Sequence, residues 1–127
     1  MSDVTDLLAL SSWAVVGLSD NRERAAWEVA RFLQAQGKRI IPVHPSAGTV
    51  HGVPGVTSLA AVTVPIDVVD CFVRSELVGP VVDEAIAIGA RGVWMQLGVV
   101  DEGAARRARG AGLTVVMNRC PRIEWRA

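Results

Sequence analysis

The sequence predicts an α/β fold: an open parallel sheet of five or six strands with helices on both faces. Three observations lead there. Apolar, β-branched runs recur at 13–16, 39–43, 66–73, 92–97 and 113–117, most of them nearly continuous, as strands buried on both faces should be. Helical periodicity fills the gaps between them. The segments "QAQGKRIIPV", "AIGARGVWM" and "RGAGLTVVM" each run helix end, glycine, strand. Repeated strand–helix–strand units imply parallel strands joined by right-handed crossovers, with helices layered on the sheet.

The elements follow in chain order. The first strand, 13–16, runs into the turn "VVGLSDNRER". Ala26, Val29, Ala30 and Leu33 then keep the i, i+3, i+4, i+7 spacing of a helix. The second strand ends at Val43, and 44–65 breaks the rhythm with Gly, Pro, Ser and Thr. A short edge strand at 49–52 and a short helix at 58–61 are expected there. After the 66–73 strand, Gly79-Pro80 is expected to open the next helix, since Pro suits the first helical position. Val78, Val81, Val82 and Ala85 carry its apolar face. Asp101 caps the following helix, and Glu102 adds favourable charge at its start. Gly37, Gly89 and Gly112 are placed for left-handed positions just past helix ends.

Composition bounds the function. A chain of 127 residues, half of them apolar, suits one domain spanning 1–127. Thirteen acidic and 13 basic residues balance, so no global field points to nucleic acid or membrane. Trp13, Trp27, Trp94 and Trp125 lack the interleaved basic residues of a nucleic-acid platform and read as core or rim packing. The N-terminus lacks a basic, apolar leader, and no run approaches the roughly 20 residues of a membrane span, so a cytoplasmic location is expected. His44, His51, Cys71 and Cys120 match no compact zinc spacing, and no metal is expected. Asp67, Asp70, Asp83 and Glu84 read as solvated or strand-end carboxylates.

In such a sheet, ligands bind beyond the strands' carboxyl ends, where neighbouring connections diverge. That point should lie between the 13–16 and 66–73 strands. Gly17 ends the first strand, and the next helix presents free N–H groups that favour an anion. Ser19 adds a hydroxyl and Arg24 a charged fork. An NAD(P) or nucleotide site stays open as the alternative. It meets two obstacles: no G-x-G-x-x-G follows the strand, and the second strand ends in Val43-His44-Pro45 without a ribose-binding carboxylate. A tight turn with no ligand also stays open here.

The stretches "AVVGLSDNRERAAWEVARFLQAQGKRIIPVHP", "SLAAV", "IDVVDCFVRSE" and "VVDEAIAIGARGVWMQLGVVDEGAARRARGAGLTVVMNRCPRIE" resemble the small stand-alone CoA-binding proteins. Their fold is similar to the N-terminal CoA-binding domain of the succinyl-CoA synthetase α subunit. The resemblance implies a Rossmann-like sheet binding coenzyme A or an acyl-CoA. It implies phosphate contacts at Gly17, Leu18, Ser19 and Arg24, and an adenosine end beside Val43, His44 and Pro45. Phe72, Val73 and Arg74 would border the pantetheine arm. Gln96, Leu97 and Gly98 would close the far side, with Asn118 and Arg119 on the same edge. Ala26 departs from the family's usual small hydroxyl residue, and Asn118 and Trp125 stand where Asp and His are usual.

The chemistry of CoA suits these residues independently. A helix N-terminus with Arg24 suits its phosphates, His44 and Pro45 offer a flat surface for adenine, and an apolar edge suits the arm. A binding protein and not an enzyme is expected. A synthetase built on this module needs a phosphorylated histidine and a nucleotide-grasping domain, for which 127 residues leave no room. Arg119 and Arg122 flank Cys120, so a mixed disulfide between CoA and Cys120 or Cys71 is conceivable; the plain alternative is an unreactive thiol.

Overall fold

Five short strands pair in parallel to form one sheet in the computed structural model, which describes residues 2–126. In chain order the elements are α1 (Asp3–Leu8), β1 (Ser12–Val16), α2 (Ala25–Ala35) and β2 (Arg39–Val43). A 3-10 turn (Leu59–Ala61) precedes β3 (Val68–Cys71), α3 (Ser75–Ala87), β4 (Gly92–Met95), α4 (Glu102–Gly110), β5 (Thr114–Val116) and α5 (Pro121–Glu124). The strand order is β2-β1-β3-β4-β5. The chain leaves β1 toward one edge and returns at β3 toward the other. The switch point therefore falls between β1 and β3, as the sequence predicts.

Alternation along each strand builds two cores. Trp13, Val15, Ile40, Val68, Trp94 and Val116 face the side covered by α1, α2 and α5. Ala14, Ile41, Val69, Val93, Met95 and Val115 face the side covered by α3 and α4. Trp13 and Trp94 are fully buried, with ring centroids 5.8 Å apart. Each indole N–H is satisfied by a backbone carbonyl, Leu10 at 3.0 Å and Arg119 at 2.8 Å. That pairing makes large aromatic burial compatible with a dry core.

Glycines Gly37, Gly89 and Gly112 all adopt positive φ after helices, and Asp101 accepts a hydrogen bond from the Ala104 N–H at 2.9 Å, as read from the sequence. Three expectations need correction. Residues 49–52 form no strand. Val50 and Val53 make one antiparallel bridge around His51 and Gly52, both at positive φ, so the sheet has five strands and not six. The 3-10 turn occupies most of the short helix expected at 58–61.

The helix expected from Gly79-Pro80 begins at Ser75 instead, and Pro80 lies inside it. The Leu77 N–H closes the first turn on the Arg74 carbonyl at 2.8 Å. Ser75 Oγ donates to the Gly98 carbonyl and accepts from the Val100 N–H, tying that turn to the loop after β4. Proline one turn in forfeits a bond only to the carbonyl of exposed Glu76.

The third correction concerns Asp70. Asp67 is a strand-end carboxylate: it accepts from the N–H groups of Ser11 and Ser12 at 3.2 and 3.1 Å, joining the starts of β1 and β3. Burial pushes that carboxyl up, but the Ser12 and Ser11 hydrogen bonds, with Arg91 nearby, outweigh it and hold it below its ordinary value. Asp70 is neither solvated nor at a strand end. It sits inside β3 between Val15 and Trp94, fully buried, with no hydrogen-bond partner on either carboxylate oxygen among the described residues.

Candidate functional site

A cleft of about 1110 Å³ opens across the carboxyl ends of β1, β2, β3 and β4. Its floor is the switch point. Gly17 holds it open: the residue has φ +96°, and its N–H bonds the Val43 carbonyl at 2.8 Å. A Cβ at Gly17 would collide with the carbonyl oxygen of Phe72. The ends of β1 and β3 can approach this closely only because position 17 carries no side chain.

Beyond Gly17 the chain winds into α2 through local hydrogen bonds. The Asn21 N–H donates to Ser19 Oγ at 3.3 Å, and the Glu23 N–H to Asn21 Oδ1 at 3.0 Å. Ser19, Asn21, Arg24 and the first residues of α2, Ala25 and Ala26, line one wall. Arg24 is the N-cap of α2, and no side chain caps that helix. Arg74, the N-cap of α3, lines the opposite wall, and α3 is likewise without a side-chain cap. In contrast, Ser2 caps α1 and Asp101 caps α4. Among the described residues the ion pairs are Arg107–Asp83, Arg119–Glu124 and Arg122–Glu28, so Arg24 and Arg74 have no acidic partner.

At the end of β2, Val43, His44 and Pro45 line the cleft. The Ser46 N–H donates to His44 Nδ1 at 3.1 Å, which fixes the ring and, for a neutral imidazole, puts its proton on Nε2. Phe72, Val73, Gln96, Leu97 and Gly98 line the cleft beyond β3 and β4. The structure thus brings together Gly17, Ser19, Arg24, Val43, His44, Pro45, Phe72, Val73, Arg74, Gln96 and Gly98 around one space.

Three expected members stand outside it, among them Arg119, whose guanidinium pairs with Glu124 at 3.4 Å. The Leu18 side chain is fully buried against the α2-side core, because an apolar residue in a turn beside a helix finds its place inward. Asn118 adopts φ +61°, and its Oδ1 accepts from the Gly98 N–H at 2.7 Å. It braces the loop that carries Gly98 without lining the cleft. The thiol reading fails for Cys71, which is fully buried; burial, then the neighbouring Asp70, pushes its thiol well above the ordinary range. Cys120 is also buried, packed in the α2-side core.

Sequence reading missed the α3 wall. Leu77, Val81 and Glu84 line the cleft at i, i+4 and i+7 on one helix face. The register was legible from Val78, Val81, Val82 and Ala85, but starting that helix at Gly79 left Leu77 out of it. Thr57, Ser58 and Leu59 close the same side. Among the described residues no three His, Cys, Asp or Glu side chains gather to hold a metal, and no helix is long and apolar enough to cross a membrane.

Residues 11–126 match the family described as CoA binding domain, and the chain belongs to that family. The uncharacterized protein YneT of Bacillus subtilis (strain 168) is 39% identical over 110 residues, covering 87% of this chain and 82% of that protein. A hypothetical protein from Pyrococcus horikoshii OT3 superposes with a TM-score of 0.91 at 34% identity, covering 98% of this chain and 89% of that one. The dinucleotide-forming acetyl-coenzyme A synthetase 1 of Ca. Korarchaeum cryptofilum, solved with phosphate and ADP, superposes with a TM-score of 0.80 at 25% identity. The match covers 93% of this chain but 28% of the synthetase.

Proposed function

We propose that this member of the CoA binding domain family is a cytoplasmic protein that binds coenzyme A or an acyl-CoA in the cleft, and has no complete catalytic site of its own. One observation carries the reading. Two helices begin at the same cleft, and each has an arginine at its N-cap, where Ser, Thr, Asp or Asn is favoured. A cation at the positive end of a helix dipole is unfavourable. Doing this twice around one cavity makes sense if an anion completes the arrangement. Phosphates between Arg24 and Arg74, against the uncapped N–H groups of α2, would satisfy both helices and both side chains.

The rest of the ligand follows the strand order. His44 and Pro45 at β2 are the proposed adenine wall, Gly17 and Ser19 at β1 the phosphate seat, and Phe72, Val73 and Gln96 the arm's path. Among the described residues Ser19, Ser58, His44 and Glu84 share no hydrogen bond with one another, and His44 Nδ1 pairs with Ser46 Oγ at 2.9 Å. An NAD(P) site would want a carboxylate after β2, where His44-Pro45 stands.

Arg24→Ser tests the reading with two effects of opposite sign. Serine at the N-cap should stabilise the ligand-free protein by about 1 kcal/mol. The same change should weaken CoA about tenfold, the scale of one charge-assisted hydrogen bond. Pantetheine, which lacks the phosphates, should lose nothing. Equal losses for CoA and pantetheine in calorimetric titration would show that Arg24 does not serve phosphate.

A further inference from the structure

Gln96 is a polar side chain with nothing in the protein to do. It is 5% exposed, and its Oε1 is buried without a hydrogen-bond partner among the described residues. Its backbone is already used: the N–H donates to the Cys71 carbonyl at 3.4 Å, and the carbonyl accepts from the Val99 N–H at 2.8 Å. A leucine or methionine would fill the same volume without stranding an acceptor. Burying an unpaired amide oxygen costs free energy that the fold does not recover. Yet Gln96 forms part of the cleft wall, between Phe72 at the end of β3 and Gly98.

We infer that Gln96 recognises a secondary amide in the pantetheine arm of the ligand, its Oε1 accepting the arm's N–H. The inference rests on the CoA reading above and adds a chemical group to it. Phosphate is the wrong partner for Oε1, because at neutral pH it offers acceptors to an acceptor. Adenine has an amino donor, but its proposed wall is at β2, three strands away from β4. With phosphates seated at β1, β4 lies two strand spacings along the sheet, roughly 10 Å. The arm's two secondary amides begin at about that reach.

The test compares wild type with Gln96→Leu by calorimetric titration. The probes are CoA, adenosine 3′,5′-bisphosphate (which keeps the nucleotide end but has no arm), and two CoA analogues. In each analogue one arm amide is replaced by an ester. Gln96→Leu should bind CoA about tenfold more weakly and the bisphosphate with unchanged affinity. One ester analogue should bind wild type as weakly as CoA binds the variant, and lose nothing further on the variant. Ligand-free Gln96→Leu should unfold at a higher temperature than wild type, which also verifies that it folds; Gln96→Met provides a second variant of similar length. Undiminished CoA affinity in the variant, equal losses for CoA and bisphosphate, or ester analogues that bind wild type as tightly as CoA would each overturn the assignment. Wild type that binds neither CoA nor the bisphosphate would instead bring down the CoA reading, and this inference with it.

Discussion

Gly17→Ala is expected to destabilise the fold by about 3 kcal/mol or more, a large share of the roughly 5–15 kcal/mol that holds a domain together. Two costs add. Alanine at φ +96° is strained by its own backbone geometry. Its Cβ also meets the Phe72 carbonyl oxygen, which is backbone and cannot rotate aside. Neither strand can retreat without loss. The Phe72 N–H is bonded to the Val16 carbonyl at 2.9 Å, and the Gly17 N–H to Val43 at 2.8 Å. Separating the ends of β1 and β3 therefore breaks the sheet where the cleft begins, and CoA affinity should fall with stability. Denaturant unfolding checks the first effect. A variant within about 0.5 kcal/mol of wild type would mean that the turn relaxes freely, and that Gly17 does not hold the cleft open.

Asp70→Asn is expected to act in the opposite direction, raising stability at neutral pH. Burial raises the Asp70 carboxyl well above its ordinary value, with no partner to offset it. The folded protein therefore holds a proton that the unfolded chain releases above about pH 4. Because the folded state binds more protons, stability falls as pH rises from that point until the buried acid itself ionises. The slope over that window is about 1.4 kcal/mol per pH unit. Asparagine has nearly the same shape, is also neutral and buried, and has no such slope. Denaturant midpoints measured at pH 5 and pH 8 should differ less in Asp70→Asn than in wild type. An unchanged pH dependence, or a loss of stability, would show that the Asp70 carboxylate has found a counter-charge.

Asp70 also marks where sequence reading stops. The run "IDVVDCF" reveals a strand, and alternation puts Asp70 on the face of Val68. Nothing local says that α2 and α5 close that face completely, so a strand-end carboxylate was the natural reading. Burial of this kind depends on helices far away in the chain. Leu18 illustrates the same limit: the turn was legible from Gly17 and the helix after it, but not which way one apolar side chain points. Asn118 was legible as an edge residue, while its bond to the Gly98 N–H links two loops 20 positions apart. The α3 wall was lost to a rule that usually holds, proline at a helix start, because Ser75 anchors an earlier turn through the Gly98–Val100 loop.

What was legible came from periodicity and punctuation. Strand runs, crossover helices and Gly37, Gly89 and Gly112 are local signals, and together they leave few topologies. Once the topology is known, the carboxyl ends of β1 to β4 must converge. Gly17, Ser19 and Arg24, Val43 to Pro45, Phe72 to Arg74, and Gln96 with Gly98 are the residues that follow those ends. Their convergence needed no long-range contact to be foreseen, only chain order and the right-handed crossover.

A competition titration between CoA and NAD(H) on the wild-type protein tests the central claim most directly. Two arginine N-caps, an uncapped α2 and His44-Pro45 in place of a ribose-binding carboxylate predict that CoA binds more tightly and displaces NAD(H). Tighter binding of NAD(H), with CoA unable to displace it, would contradict the account.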